Sequence, residues 1–105
     1  MKKTLLASLL CFSVSANAAF LTGNNLYERM NGSEADRDFA LGYVVGVFDA
    51  TQNVHHCAGA RVTSGQMRDL AKKFIEEMPS VRDMPADLLV TAILAQTYPC
   101  QKKKT

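Results

Sequence analysis

From Leu21 onward, apolar positions recur at helical spacing, and capping residues divide them into four pieces. Leu21-Thr22-Gly23 leads into a short first helix, about Asn24 to Met30. Thr22 stands where it can cap this helix, and Leu21 and Leu26 have the spacing of a hydrophobic staple. Asn31-Gly32 ends it. Ser33 then caps a second helix, and Asp36 three residues later completes a pattern like a capping box, with acid in the first turn. Phe39, Tyr43, Val47 and Ala50 line one face of this helix, and Leu41, Val45 and Phe48 the neighbouring one. A helix apolar nearly all round belongs at the centre of a fold.

Gly42, Gly46 and Ala50 lie four residues apart along the same helix. A mid-helix glycine costs roughly 0.5–1 kcal/mol relative to alanine. The spacing therefore predicts a close helix contact along this line that offsets the cost. A contact between two copies of the chain is the alternative.

A loop from Asn53 to Val62 follows and holds His55, His56, Cys57 and Gly59. The third helix opens on Thr63 with Gln66 three residues later, a capping box, flanked by Val62 and Met67 at staple spacing. Met67, Leu70, Phe74 and then Ile75 or Met78 form its apolar stripe. Lys72, Lys73, Glu76 and Glu77 take its wet side, and Pro79 ends it. After Ser80 to Met84, Pro85 suits a first helical turn. Leu88, Leu89, Ala92, Ile93 and Ala95 are expected to face inward in a last helix that runs to Pro99-Cys100. There is no strand alternation and no repeat. The prediction is an all-α domain, a small bundle of four to five helices.

The first eighteen residues read differently. Lys2 and Lys3 precede an apolar run, Thr4 to Val14, and Ala16-Asn17-Ala18 forms an A-x-A cleavage site. This is the pattern of a cleaved secretory signal over residues 1–18, too short in its apolar part to anchor stably in a membrane. Cys11 raises a lipoprotein signal as the rival, but bulky Leu10 precedes it where a small residue belongs. The domain would then span 19–105, and the expected location is the periplasm. Those 87 residues carry ten cations and ten carboxylates, so the formal +2 of the whole chain comes from Lys2 and Lys3. A neutral chain lacks the basic stripe of a nucleic-acid binder. The run Lys102 to Lys104 reads as a solvated tail.

Two cysteines remain, Cys57 and Cys100, and an exported chain meets oxidising conditions. One intrachain disulfide is expected. Closing a loop of 43 residues, it stabilises by about 4 kcal/mol at most on chain-entropy grounds. The pairing also disposes of the sharper readings of His55-His56-Cys57. Zinc wants three or four ligands, and a disulfide removes the thiolates. A thiol nucleophile would lose its sulfur in the same way. Exposed loop histidines are expected instead. Glu76 and Glu77 are neighbours and do not face one another on a helix. Asp49 is expected to bond a backbone group or an arginine such as Arg61. No glycine-rich phosphate cradle exists. The residues point to no catalytic group, metal or cofactor, and support a small secreted helical binder.

Five segments together carry a resemblance. FLTGNNLYERM, FALGYVVGVFDA, the Cys57 loop, VTSGQMRDLAKKFIEEMP and MPADLLVTAILAQTYPC occur in an order and spacing similar to the Tai-type immunity proteins of the Rap–Tai family, linked to type VI secretion. The resemblance covers nearly all of the chain after the signal. It implies an exported all-α protein, often a homodimer, that binds and blocks a toxic effector, for Tai-type members a peptidoglycan amidase. Many members carry a second cysteine pair near the first two helices, where this chain reads LYERMNG and RDFALGY. A periplasmic acid-stress chaperone like HdeA, also small, helical and single-disulfide, is the alternative.

Binding residues are expected on loops held by restraints, since loops carry function on a rigid scaffold. Two segments qualify: the His55–Arg61 loop beside Cys57, and the Val81–Met84 connection between Pro79 and Pro85. In this reading Arg61, Arg82 and Asp83 are polar anchors. His56 and Met84 enter the partner's groove, and His55 and Val81 flank them.

Overall fold

The computed structural model describes residues 20–101. The predicted signal segment and the lysine tail lie outside the described residues. Four α-helices form: α1 (Gly23–Met30), α2 (Glu34–Thr51), α3 (Ser64–Glu77) and α4 (Ala86–Thr97), with one 3-10 turn at Pro79–Val81. The all-α expectation holds, and Cys57 is bonded to Cys100. Among the described residues no helix is long and apolar enough to cross a membrane.

Three of the four helices start at a complete capping box. Thr22 with Asn25, Ser33 with Asp36, and Thr63 with Gln66 each satisfy two backbone N–H groups that a helix start leaves without partners. The start of α4 differs. Pro85 is its cap and contributes no side-chain bond. There the backbone is held by pairing instead: Ala86 N–H donates to Leu21 O at 2.6 Å, and Gly23 N–H donates to Met84 O at 2.9 Å. The extended residues on either side of Thr22 and Pro85 thus form one antiparallel bridge. This bridge ties the beginning of the domain to its last connection.

The core runs along one edge of α2: Ala40, Val44 and Phe48, spaced by four. Against it lie Leu26 and Met30 of α1, Met67, Ala71 and Ile75 of α3, and Val90, Ile93 and Leu94 of α4. Each fully buried Leu, Ile or Val side chain contributes roughly 1.5–3 kcal/mol over leaving it in water. All four helices touch one another, but α2 has the most extensive contacts with each of the others, which makes it the central element, as expected.

The face of α2 that packs is not the one predicted. Ala40, Val44 and Phe48 point inward, while Phe39 is 46% exposed and Ala50 is exposed. Gly42 and Gly46 are exposed too, and among the described residues a Cβ built on either meets nothing within 4 Å. The expected close intramolecular contact along these glycines is therefore absent. The physical reason is that α2 is apolar on every side, so its pattern does not choose a buried edge. The glycine that does meet a neighbour closely is Gly23. A Cβ there would lie 2.5 Å from Leu89 Cδ1 and 2.9 Å from Arg82 O.

Two further expectations fail for related reasons. Leu88 and Ala92 of α4 lie outside the core, because the buried stripe runs through Ala86, Leu89, Val90, Ile93 and Leu94 and these two fall on the opposite side of the helix. Asp49 is exposed and pairs with no arginine among the described residues.

Candidate functional site

His56, expected on an exposed loop, is fully buried. Its Nε2 lies 3.0 Å from Phe48 O, and its Nδ1 accepts from Ala58 N–H at 3.2 Å. The second bond requires a lone pair on Nδ1, so the proton sits on Nε2 and is donated to Phe48 O. Phe48 O lies in the last turn of α2, where the Thr51 hydroxyl also reaches it at 3.5 Å. The ring also tilts against Phe48, with centroids 4.6 Å apart. His56 thus closes the end of α2 and cannot enter a partner's groove in this fold. Its neighbour His55 is exposed, as is Arg61.

A parallel arrangement closes α3. Arg82 donates from Nε to Ile75 O at 2.8 Å and from Nη2 to Glu76 O at 3.0 Å. Its guanidinium also lies over the Tyr27 ring, 4.5 Å from the centroid. Tyr27 in turn donates its hydroxyl to Glu76 Oε2 at 2.9 Å. That bond to Glu76, chiefly, holds the Tyr27 phenol above its usual pKa. The main chain of Arg82 is used as well, since Asn24 N–H donates to Arg82 O at 2.7 Å. Arg82 therefore acts on its own protein, fixing the connection between α3 and α4.

The fixed connection forms one wall of an open apolar groove of about 230 Å³. Phe74 and Met78 come from α3 and its end, Val81 and Met84 from the connection, and Leu88 and Ala92 from α4. Met78, Met84 and Leu88 are 45, 41 and 53% exposed. A smaller hollow lined by Phe20, Pro85, Asp87 and Leu88 continues beyond Leu88. Exposed large apolar side chains gathered in a concavity mark interaction surfaces more than scattered ones do. The volume is below the roughly 300–1,000 Å³ of typical small-molecule sites. It suits one or two large side chains of a partner.

The predicted binding residues fall into two groups. Val81, Asp83 and Met84 lie on or beside the groove. His55 and Arg61 flank Cys57, which is tied to the far end of α4 through Cys100 and through Cys57 N–H donating to Tyr98 O at 2.8 Å. A helix of 12 residues separates the two groups, which is roughly 18 Å at 1.5 Å per residue. They do not share one patch. Met78, Leu88 and Ala92 were missed as surface residues. A signal was present, since α4 carries more apolar residues than one buried stripe can hold.

The cap boxes, the bonded cysteine pair and the bridged helix connection together hold an exposed apolar groove on a fixed helical frame. A family model of the Rap1a immunity proteins matches residues 22–100, and the chain belongs to that family. It is an immunity protein, and members of this class act as inhibitors. No curated protein matches the chain in sequence.

Proposed function

We propose that the chain is the periplasmic immunity partner of a type VI secretion effector, a peptidoglycan amidase, and that it inhibits by stoichiometric binding. The observation that carries the binding part is the groove beside Met84, where fixed backbone presents exposed apolar side chains next to a predicted binding segment. Preorganised surfaces lower the ordering cost of association. The export pattern of residues 1–18 and the Cys57–Cys100 bond support an oxidising compartment, where a cell-wall hydrolase would act. Similarity to Tai-type proteins supports an amidase. Family membership favours this reading over an acid-stress chaperone. We also propose that two copies pair through the outer face of α2, where Gly42 and Gly46 leave room for another helix.

The test is digestion of purified peptidoglycan by type VI amidase effectors, with the chain added in increasing amounts. Activity should fall to background near one equivalent. Full activity in the presence of excess folded chain would refute the proposal. Light scattering of the same sample gives the oligomeric state, and a monomer at working concentration would remove the pairing.

A further inference from the structure

The charges around the groove are one-sided. From Met78 to Gln101 the chain has a single cation, Arg82, against the carboxylates Asp83 and Asp87. Glu77 stands next to Met78, Asp83 next to Met84, and Asp87 next to Leu88, so each of these three large exposed apolar residues has an acid beside it in the chain. Glu77, Asp83 and Asp87 form no salt bridge among the described residues. Arg82 keeps its charge but is directed at two backbone carbonyls and the Tyr27 ring rather than at a carboxylate. Lys73 lies one turn before Glu77 and offsets part of that charge. No lysine or arginine lies three or four residues from Asp83 or Asp87 along the chain.

We infer that the groove receives a partner segment of large apolar side chains flanked by lysine or arginine. This rests on the immunity reading for the identity of the partner, but its chemistry comes from the groove itself. The apolar floor supplies contact area, and methionines at two of the exposed positions adapt to the shape of what enters. The acidic rim adds attraction to basic flanks and repels acidic ones, so it sets specificity and encounter rate more than raw affinity. Arg82 is a positioning residue. It holds the connection that carries Asp83 and Met84.

The experiment uses two labelled peptides with the same leucine- and phenylalanine-rich core, one flanked by lysines and one by glutamates. Binding to the full domain is read by fluorescence anisotropy, and the site by methyl NMR shifts. The lysine-flanked peptide should bind about tenfold or more tightly, with shifts at Met78, Met84 and Leu88, and the preference should shrink as salt rises. The double variant Glu77→Lys, Asp83→Lys should lose or invert the preference. Leu88→Asp should weaken both peptides. Equal binding of the two peptides, or a preference unchanged by charge reversal, would overturn the inference, as would methyl shifts confined to Val54 or Val45. Inhibition of the hydrolase is scored separately. Failure to inhibit sinks the immunity proposal and leaves the groove's selectivity standing, whereas inhibition by a groove without selectivity sinks only the inference.

Discussion

Gly23 and Gly46 both sit in helices, yet they occupy opposite kinds of surroundings. Gly23 opens α1 and is buried where α1 meets the α3–α4 connection, with Leu89 and the Arg82 backbone against its missing side chain. Gly46 lies in the middle of α2, exposed, with no atom within reach of a Cβ. The four-residue spacing of Gly42 and Gly46 suggests close packing, and the isolated glycine after Thr22 does not. Spacing describes what a helix could accept. Which side meets a neighbour is decided by the other helices, whose buried residues select Ala40, Val44 and Phe48 on α2.

This contrast can be broken most strongly at Gly23. Replacing it with valine forces its side chain into Leu89 and the main chain of Arg82, and overpacking of this kind costs about 1–3 kcal/mol. The upper end is expected here, because backbone on one side cannot move away cheaply. Urea unfolding measures it, and a midpoint equal to the parent's would show that the connection is not held as described.

Arg82→Ala comes next. It leaves Ile75 O and Glu76 O without their charged donor, and hydrogen bonds to charged groups contribute about 1.5–3 kcal/mol. Partial exposure of the site places the loss near the lower end. Faster amide exchange should appear at Asn24 and Met84, whose positions depend on the same connection. Unchanged exchange there would separate Arg82 from the groove.

A smaller effect of opposite sign is expected at Gly46. Gly46→Ala should stabilise the monomer by about 0.5–1 kcal/mol, since helical propensity improves and nothing is displaced. Gly46→Leu should also leave the monomer folded, but it should weaken self-association if α2 pairs with a second copy. Destabilisation of a monomeric Gly46→Ala would mean that a neighbour packs there after all.

The smallest effect lies in the tyrosines. Tyr27 is raised by its bond to Glu76, and Tyr43 by burial and then by nearby Asp87. A raised folded pKa favours the neutral phenol in the folded state. The associated stability is therefore complete below about pH 10, the usual phenol value. It is lost as pH rises through the raised values. Ultraviolet titration should show both phenols ionising late, and Glu76→Gln should bring Tyr27 back toward its ordinary range.

What could be read from the sequence was local chemistry. The caps at Thr22, Ser33 and Thr63 need only a hydroxyl near a helix start, and all three formed, Thr22 completing a box with Asn25 that goes beyond the simple cap expected there. The disulfide needed an export pattern that sets Cys11 aside and leaves two cysteines in an oxidising compartment. Burial within α2 and α4 was harder to read, because both helices are apolar on too many sides to define a single stripe. Phe39, Leu88 and Ala92 were assigned inward on hydrophobicity alone. His56 and Arg82 were read as partner contacts because polar loop residues usually face water. Their actual bonds reach carbonyls at the ends of the preceding helices, and no spacing rule in the sequence specifies those bonds. Of the site, the Val81–Met84 connection was legible from its prolines, whereas the groove required knowing which side of α4 remains uncovered.

The central claim is that inhibition runs through the groove beside Met84. Calorimetric titration of the amidase effector that the chain inhibits, using the parent domain and folded Met84→Ala and Leu88→Asp variants, tests it most directly. The account predicts a one-to-one complex whose affinity falls by roughly 2 kcal/mol, about thirtyfold, when a central anchor is removed. Arg61→Ala, at the far end of α4, should change it little. An affinity unaffected by Met84→Ala and Leu88→Asp, with loss on Arg61→Ala instead, would contradict the account and move the interface to the Cys57 loop.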